Sequence, residues 1–421
     1  MNRILRHRAQ LWDQMQFFFG EYNDHQLHGV IFFDGGLDEV LLKKAVSLSM
    51  DAFPILKCRY VEGRRHPYWE ETDIKIGDIV TFVDSADVEG DAMSFAVNKT
   101  WEFAGPQILV RFLRQAGQES GALCVIMNHM ACDGAGFKEY LYMLGSIYSG
   151  HEVHGNGRRP DRSLGQIFRR ISLMDRMKLL LLPDNLSKHD SGLNFPLNGG
   201  SDPMPFIARH KLDSVRFKAL KEYGRKSGAT INDIILAAYI RALYRVLDNP
   251  ENRPLCIPCM IDLRRYLRDG KAGGICNLTA TIVCDAGEGT GGDFSDTLAK
   301  VKMDMDRQKS GLPGLNGLYK LQMIFRLFAY PAVKKIIREK FVNPLIAMTN
   351  IGIIDKNRLS FGGIKVTDAF VTGSIKHAPY FQLALSSFND SVTFTINQFG
   401  SAQDREKIEA FLRMLDGELP C

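Results

Sequence analysis

Two periods of apolar spacing run through this chain, and the places where one gives way to the other outline its elements. Ala122 to Met127 is an unbroken apolar run with β-branched content, the pattern of a strand covered on both faces. Phe137, Tyr140, Leu141, Leu144 and Tyr148 then recur at helical spacing, with Gly150 placed as a C-terminal cap. Upstream, Leu11 to Phe19 reads as a short aromatic-rich helix and Val30 to Phe33 as a strand. Leu37 to Ala52 keeps a helical period until Pro54 stops it. Ile79 to Val83 and Ile108 to Leu113 read as strands. The second is expected to form a hairpin with the central run through the turn at Gln115 to Gly121.

The texture changes after Gly150. The segment GHEVHGNGRRPDR, Gly150 to Arg162, has the glycines, proline and basic cluster of a linker. Ile167 to Leu182 alternates arginines with leucines and isoleucines, as a basic amphipathic helix does. Its apolar stripe can pack on its own domain or meet a membrane surface or an acidic carrier protein. Pro183 to Pro205 is polar and rich in loop formers, which divides the chain into residues 1–183 and 184–421. A strand, Phe206 to Leu212, and a helix, Asp213 to Lys226, open the second half. A helix from Ile231 to Leu247 follows; it is apolar nearly all round and starts at Thr230 and Asp233 with capping-box spacing. Leu318 to Phe341 is apolar, basic and interrupted by Pro331. It reads as a pair of core-packed helices, a wall for an acyl chain or a membrane-facing edge. Strands at Phe381 to Ser387 and Val392 to Asn397 and a helix from Gln403 close the chain.

Composition narrows the class. With 421 residues, 45% hydrophobic and 24% charged, the chain is expected to be soluble and to form two domains of about 200 residues. A net charge of +5 without zinc-finger spacing or a basic tail argues against a nucleic-acid partner. No run of 18 apolar residues predicts a membrane span, so peripheral contact is the only membrane role left open. The charged N-terminus and eight scattered cysteines suit a reducing cytoplasm.

The chemistry concentrates in the turn after the central strand, NHMACDG, where His129 and Asp133 stand four apart between two rigid elements. Asp133 is also the residue type of a helix cap, and His129 that of a hydrogen-bonded structural histidine; spacing alone leaves these readings open. The Asp-Gly pair suggests an unusual backbone conformation at Gly134. Cys132 could pair with His129 as a nucleophile or simply pack inward. Cys256 and Cys259 form a C-x-x-C, but inside a strand-like run and without a second pair, so no redox or zinc role is expected. No metal site is expected either, since His129 and Asp133 lack companions at ligand spacing.

NHMACDG resembles the HHxxxDG motif of acyltransferases that share the chloramphenicol acetyltransferase fold. These include condensation domains of nonribosomal peptide synthetases, plant alcohol acyltransferases, wax ester synthases and polyketide-associated acyltransferases. His129 falls on the second His of the motif, Asp133 on the Asp and Gly134 on the Gly. Asn128 replaces the first His, as in many members outside the peptide synthetases. Further stretches follow in the family's order. FPILKCRY is similar to the "hPhLr" stretch, GATINDIILAA to "GvTvndvllAA", and IPCMIDLRRYL to the "PVDLR" block, with Asp262 and Arg264 at the matching positions. GGICNLTATIVC is like the "GN" block and AMTNIGIID like "SNlG". The last occupies the place of a plant Asp-Phe-Gly-Trp-Gly motif, which this sequence lacks.

The resemblance implies an α/β (α+β) fold of two chloramphenicol acetyltransferase-like αβ sandwich subdomains with a channel between them. It implies transfer of an acyl group from a thioester to a small alcohol, amine or sugar. The co-substrate would be acyl-CoA or acyl-phosphopantetheine, the latter on an acyl carrier protein, with no permanently bound cofactor. His129 would act as general base. Asp133 would hold the turn by pairing with an arginine from the other part of the chain, for which Arg264 is the candidate, and Gly134 would permit close backbone approach. Asn128, Thr349 and Asn350 are the candidates for the channel wall or for stabilising an oxyanion. Two alternatives remain: a stand-alone, carrier-dependent condensation enzyme, and an inactive scaffold that keeps the fold for binding.

Overall fold

The computed structural model describes residues 5–152, 160–182, 192–199, 202–247, 253–290 and 292–420. Much of the expected linker after Gly150 and of the loop after Pro183 lies outside the described residues.

The central strand, Gly121–Asn128, is buried along its whole length. Its side chains alternate between two cores, as strand geometry requires. Leu123, Val125 and Met127 enter one cluster with the helices Glu39–Ala52 and Gly134–Tyr148. Ala122, Cys124 and Ile126 enter another with the helix Val88–Ala96. The strand is the middle of a five-stranded sheet in the order Val366–Thr372, Gln26–Phe33, Gly121–Asn128, Ile108–Gln115, Val80–Ser85. The expected hairpin with Ile108–Gln115 is present and antiparallel. The opposite edge is supplied from far along the chain: Val366–Thr372 pairs antiparallel with Gln26–Phe33.

A six-stranded sheet carries most of the second half. Its order is Thr279–Asp285, Cys256–Asp262, Ile346–Ile354, Phe381–Phe388, Ser391–Gly400, Met204–Leu212. Ile231–Val246 is the buried helix that its composition predicts, with Ile234 through Ile240 all at most 1% exposed. Thr230 and Asp233 close a reciprocal capping box at its start, Thr230 Oγ1 accepting from the Asp233 N–H and the Asp233 carboxylate from the Thr230 N–H.

One expected helix is broken, and one segment expected as a pair of helices is found as a pair. Ile167 to Leu182 is not one helix but two, Gly165–Phe168 and Leu173–Leu181, because the Ser172 hydroxyl accepts from the Asp175 N–H and starts a new helix. Leu179 packs inward, whereas Leu173 and Leu181 are 71% and 84% exposed. Most of Leu318 to Phe341 lies in the helices Leu315–Leu327 and Tyr330–Lys340. Pro331 sits in the first turn of the second helix, where a missing N–H leaves no bond unmade. Among the described residues no helix is long and apolar enough to cross a membrane.

Candidate active site

The strand delivers His129 at its end, and both backbone groups of the residue are fixed. Its N–H donates to the His25 carbonyl at 2.6 Å, and its carbonyl accepts from Asn277 Nδ2 at 2.9 Å. One partner comes from each half of the chain. Within the ring, Nδ1 is buried without a hydrogen-bond partner, which leaves Nε2 as the nitrogen able to meet a substrate. Burial lowers the imidazole pKa below its ordinary 6.5; its own carbonyl and Asp133 oppose that shift without reversing it. The shift favours the neutral imidazole at pH 7.

Asp133 caps the helix Gly134–Tyr148 and does more. Oδ1 accepts from the Gly136 N–H at 2.7 Å, as a helix cap does. Arg264 then lies 3.0 Å from each oxygen, and the Leu278 N–H donates to Oδ2 at 2.6 Å. Burial pushes this carboxyl up, but the guanidinium and the two backbone donors outweigh it and hold the group below the usual carboxylate range. Arg264 also reaches the Cys276 carbonyl and Asp262, each at 3.0 Å. With both oxygens engaged, Asp133 is an anchor and not a proton carrier.

A second ion pair, on the buried Asp13, supports the turn, and no sequence pattern announces it. Arg162 grips Asp13 with two bonds of 2.9 Å and donates to the carbonyls of Met130 and Ala131, also at 2.9 Å. Trp69 Nε1 donates to the same aspartate at 2.7 Å. Arg162 thus holds the two carbonyls that follow His129.

The remaining candidates divide. Thr349 and Asn350 line the same cavity as His129, a space of about 390 Å³ walled by both halves. Asn350 Oδ1 is already taken by the Gly352 N–H at 2.8 Å. Asn128 is not brought to that cavity: it is buried beneath the turn, and its Oδ1 accepts from the Met130 N–H at 2.9 Å. Gly134 has no left-handed φ, contrary to the Asp-Gly expectation; a Cβ there would instead lie 3.1 Å from Ile351, so space is what it supplies. The Cys132 thiol is buried, its pKa pushed well up, and it donates to the Met127 sulfur at 3.3 Å, which makes it an inert packing residue. Cys259 is likewise pushed up to about 12 by burial within its strand. Among the described residues no cluster of metal-ligating side chains is present. Unforeseen members of the site are His25, Asn277 and Lys376, the last lining the cavity from the crossover after Val366–Thr372.

Comparison of the sequence with protein-family models and with curated proteins finds no match. Solved structures do match, over nearly the whole chain. The trichothecene 15-O-acetyltransferase from Fusarium sporotrichioides superposes with a TM-score of 0.71 at 12% identity, over 99% of this chain and 96% of that one. The first condensation domain of the CDA synthetase gives 0.67 at 16% identity, over 99% and 97%. The fold is shared. A mutant of the starter condensation domain of rhizomide synthetase, in complex with C8-CoA, gives 0.65 at 13% identity, over 98% and 94%. The mixed α/β fold expected from the motif resemblance is therefore the one found, at low sequence identity to these structures.

Proposed function

We propose that this protein is a thioester-dependent acyltransferase, with His129 as its general base. The observation that carries the reading is the placement of the imidazole. Its backbone is held from both halves, and its ring opens on a cavity whose walls come from both halves. A cavity between two layers can admit two substrates from separate mouths, which transfer between a donor and an acceptor requires.

In the reaction, a hydroxyl or amine of the acceptor loses its proton to His129 Nε2 as it attacks the thioester carbonyl. The new C–O or C–N bond forms, and the carbonyl oxygen takes the negative charge. When the C–S bond breaks, the imidazolium returns the proton to the departing thiolate. Positioned proton transfer of this kind is worth ~10²–10⁴ in rate. Thr349 is our candidate donor to the oxyanion, because it lines the cavity and its hydroxyl has no protein partner among the described residues. Asp133 and Arg264 hold the turn without touching substrate.

The donor is acyl-CoA or an acyl group on phosphopantetheine. The complex of the rhizomide synthetase domain with C8-CoA supports the first. The likeness to condensation domains favours a second reading, in which a carrier protein delivers the donor. The deciding experiment is mass spectrometry of the purified chain with acyl-CoAs, or acylated carrier protein, and a mixed pool of alcohols, amines and sugars. An acylated acceptor that depends on His129 is expected. Binding of donor without any product would instead identify an inactive scaffold.

A further inference from the structure

Lys376 crosses between the two sheets, forming bridges with Asn23 on one side and Gln398 on the other. Its backbone is fixed there: its N–H donates to the Asn397 carbonyl at 3.0 Å, and its carbonyl accepts from the Phe399 N–H at 2.8 Å. The side chain lines the same cavity as His129, near enough for its charge to lower the imidazole pKa. Among the described residues no carboxylate comes within 4.0 Å of Nζ, and no hydrogen-bond acceptor is in place for it.

The charges around it compensate it only in part. The carboxylate acting on Lys376 is Asp24, a weak counter-ion, since burial pushes its carboxyl up to about 7. Asp24 Oδ1 also accepts from Gln26 and Ile375 N–H groups, at 3.1 and 2.9 Å. The acids on the cavity wall, Asp133 and Asp262, are both held by Arg264 at 3.0 Å. Of the other wall lysines, Lys138 donates to the Ile353 carbonyl at 3.0 Å, and Lys340 adds to the positive charge. Burial pulls the Lys376 ammonium down to about 8, so most of it is still charged at pH 7. A cation whose counter-ion is only partly ionised, in a largely apolar cavity, is costly unless something bound there completes it.

We propose that Lys376 is the anion-binding residue of the channel, and that the ligand carries a carboxylate seated on Nζ while its reacting group lies at His129. The reacting group follows from the acyltransferase reading; the anion site does not depend on it. The carboxylate belongs to the acceptor or to the acyl group, and one set of measurements separates the two.

Binding is tested first, by calorimetry on the full chain with straight-chain carboxylates from hexanoate to dodecanoate and the matching amides. Wild type is expected to bind the carboxylates about tenfold or more tightly than the amides, the scale of one charge-assisted contact. Lys376→Met should erase that preference by weakening only the carboxylates, and Lys376→Arg should keep it. If Lys376→Met does not fold, Lys376→Gln against Lys376→Arg makes the same comparison. No preference in wild type, or one that survives loss of the charge, overturns the proposal. Turnover then assigns the source. A hydroxy acid against its amide tests the acceptor, and glutaryl-CoA against butyryl-CoA tests the donor; Lys376→Met should slow one of the two charged substrates selectively. Carboxylate preference without turnover in any arm would sink the transferase reading and leave the anion site standing. Turnover without carboxylate preference would do the reverse.

Discussion

Asp133 and Arg264 stand 131 residues apart in the chain and 3.0 Å apart in space, their side chains 8% and 7% exposed. The pair joins the turn that carries His129 to the second half of the protein, so the cavity wall and the base share one anchor. Removing one member of a buried ion pair leaves the other uncompensated, at ~3–5 kcal/mol. Asp133→Ala is therefore expected to lower the urea midpoint strongly and to reduce transfer as a consequence. Asp133→Ala combined with Arg264→Met should cost less than the sum of the single changes. Strict additivity would show that the two charges do not depend on each other.

His129→Ala should behave differently. Ring Nδ1 has no hydrogen-bond partner, and the residue's backbone bonds survive the substitution. Stability within ~1 kcal/mol of wild type is expected, with a loss of ~10²-fold or more in transfer rate. Because burial lowers the imidazole pKa, the base stays unprotonated to below its ordinary 6.5. Activity should accordingly persist at pH 6.5 and fall only as pH drops through the lowered value. An acid limb of kcat/KM centred above 6.5 would assign the titration to another group.

The apolar run before His129 is legible in sequence because a strand buried on both faces must be apolar throughout. The buried helix at Ile231–Val246 is legible for the same reason, joined to a capping box. The joints between elements are not. Val366–Thr372 carries no regular alternation to announce a strand, and its place beside Gln26–Phe33 comes from tertiary packing. Arg162 is the last residue of the Gly/Pro-containing basic stretch read as a linker, and only the fold reveals it paired with buried Asp13. Lys376 sits in an irregular crossover where no period applies. Asp133 could be read as a cap from its own neighbourhood, and it is one; its partner Arg264 came into view through the motif resemblance and not through spacing.

Arg162 offers a test of how the turn is held. Its guanidinium uses a planar fork on Asp13 while reaching three carbonyls, those of Met130, Ala131 and Ile275. A lysine ammonium cannot reproduce that geometry, although it keeps the charge. Arg162→Lys should thus lose ~1–3 kcal/mol of stability, the cost of buried acceptors left unpaired, and lower turnover through a misplaced His129. A wild-type melting temperature in Arg162→Lys would mean that charge alone anchors this corner.

Two glycines in the first turn of the helix after His129 make the sharpest comparison, because they differ in what surrounds them. A methyl at Gly134 would lie 3.1 Å from Ile351 Cγ2 and 3.3 Å from its Cγ1, side-chain atoms that need give only a few tenths of an ångström. A methyl at Gly136 would lie 2.9 Å from Cys132 Cβ, 3.0 Å from the Cys276 carbonyl oxygen and 3.3 Å from Arg264 Nη2. The Cys276 carbonyl is backbone, and it accepts from Arg264 at 3.0 Å, so it cannot retreat without loosening the Asp133 anchor. Neither glycine has a left-handed φ, and both lie in a helix, where alanine is intrinsically preferred by ~1 kcal/mol. That preference should nearly offset the strain at Gly134, leaving Gly134→Ala within ~1 kcal/mol of wild type. Crowding should win at Gly136, with Gly136→Ala destabilised by ~1–3 kcal/mol, the usual range for overpacking. Chemical denaturation of the two variants side by side gives the answer. Equal midpoints would show that the packing around the Arg264 anchor is looser than these distances imply.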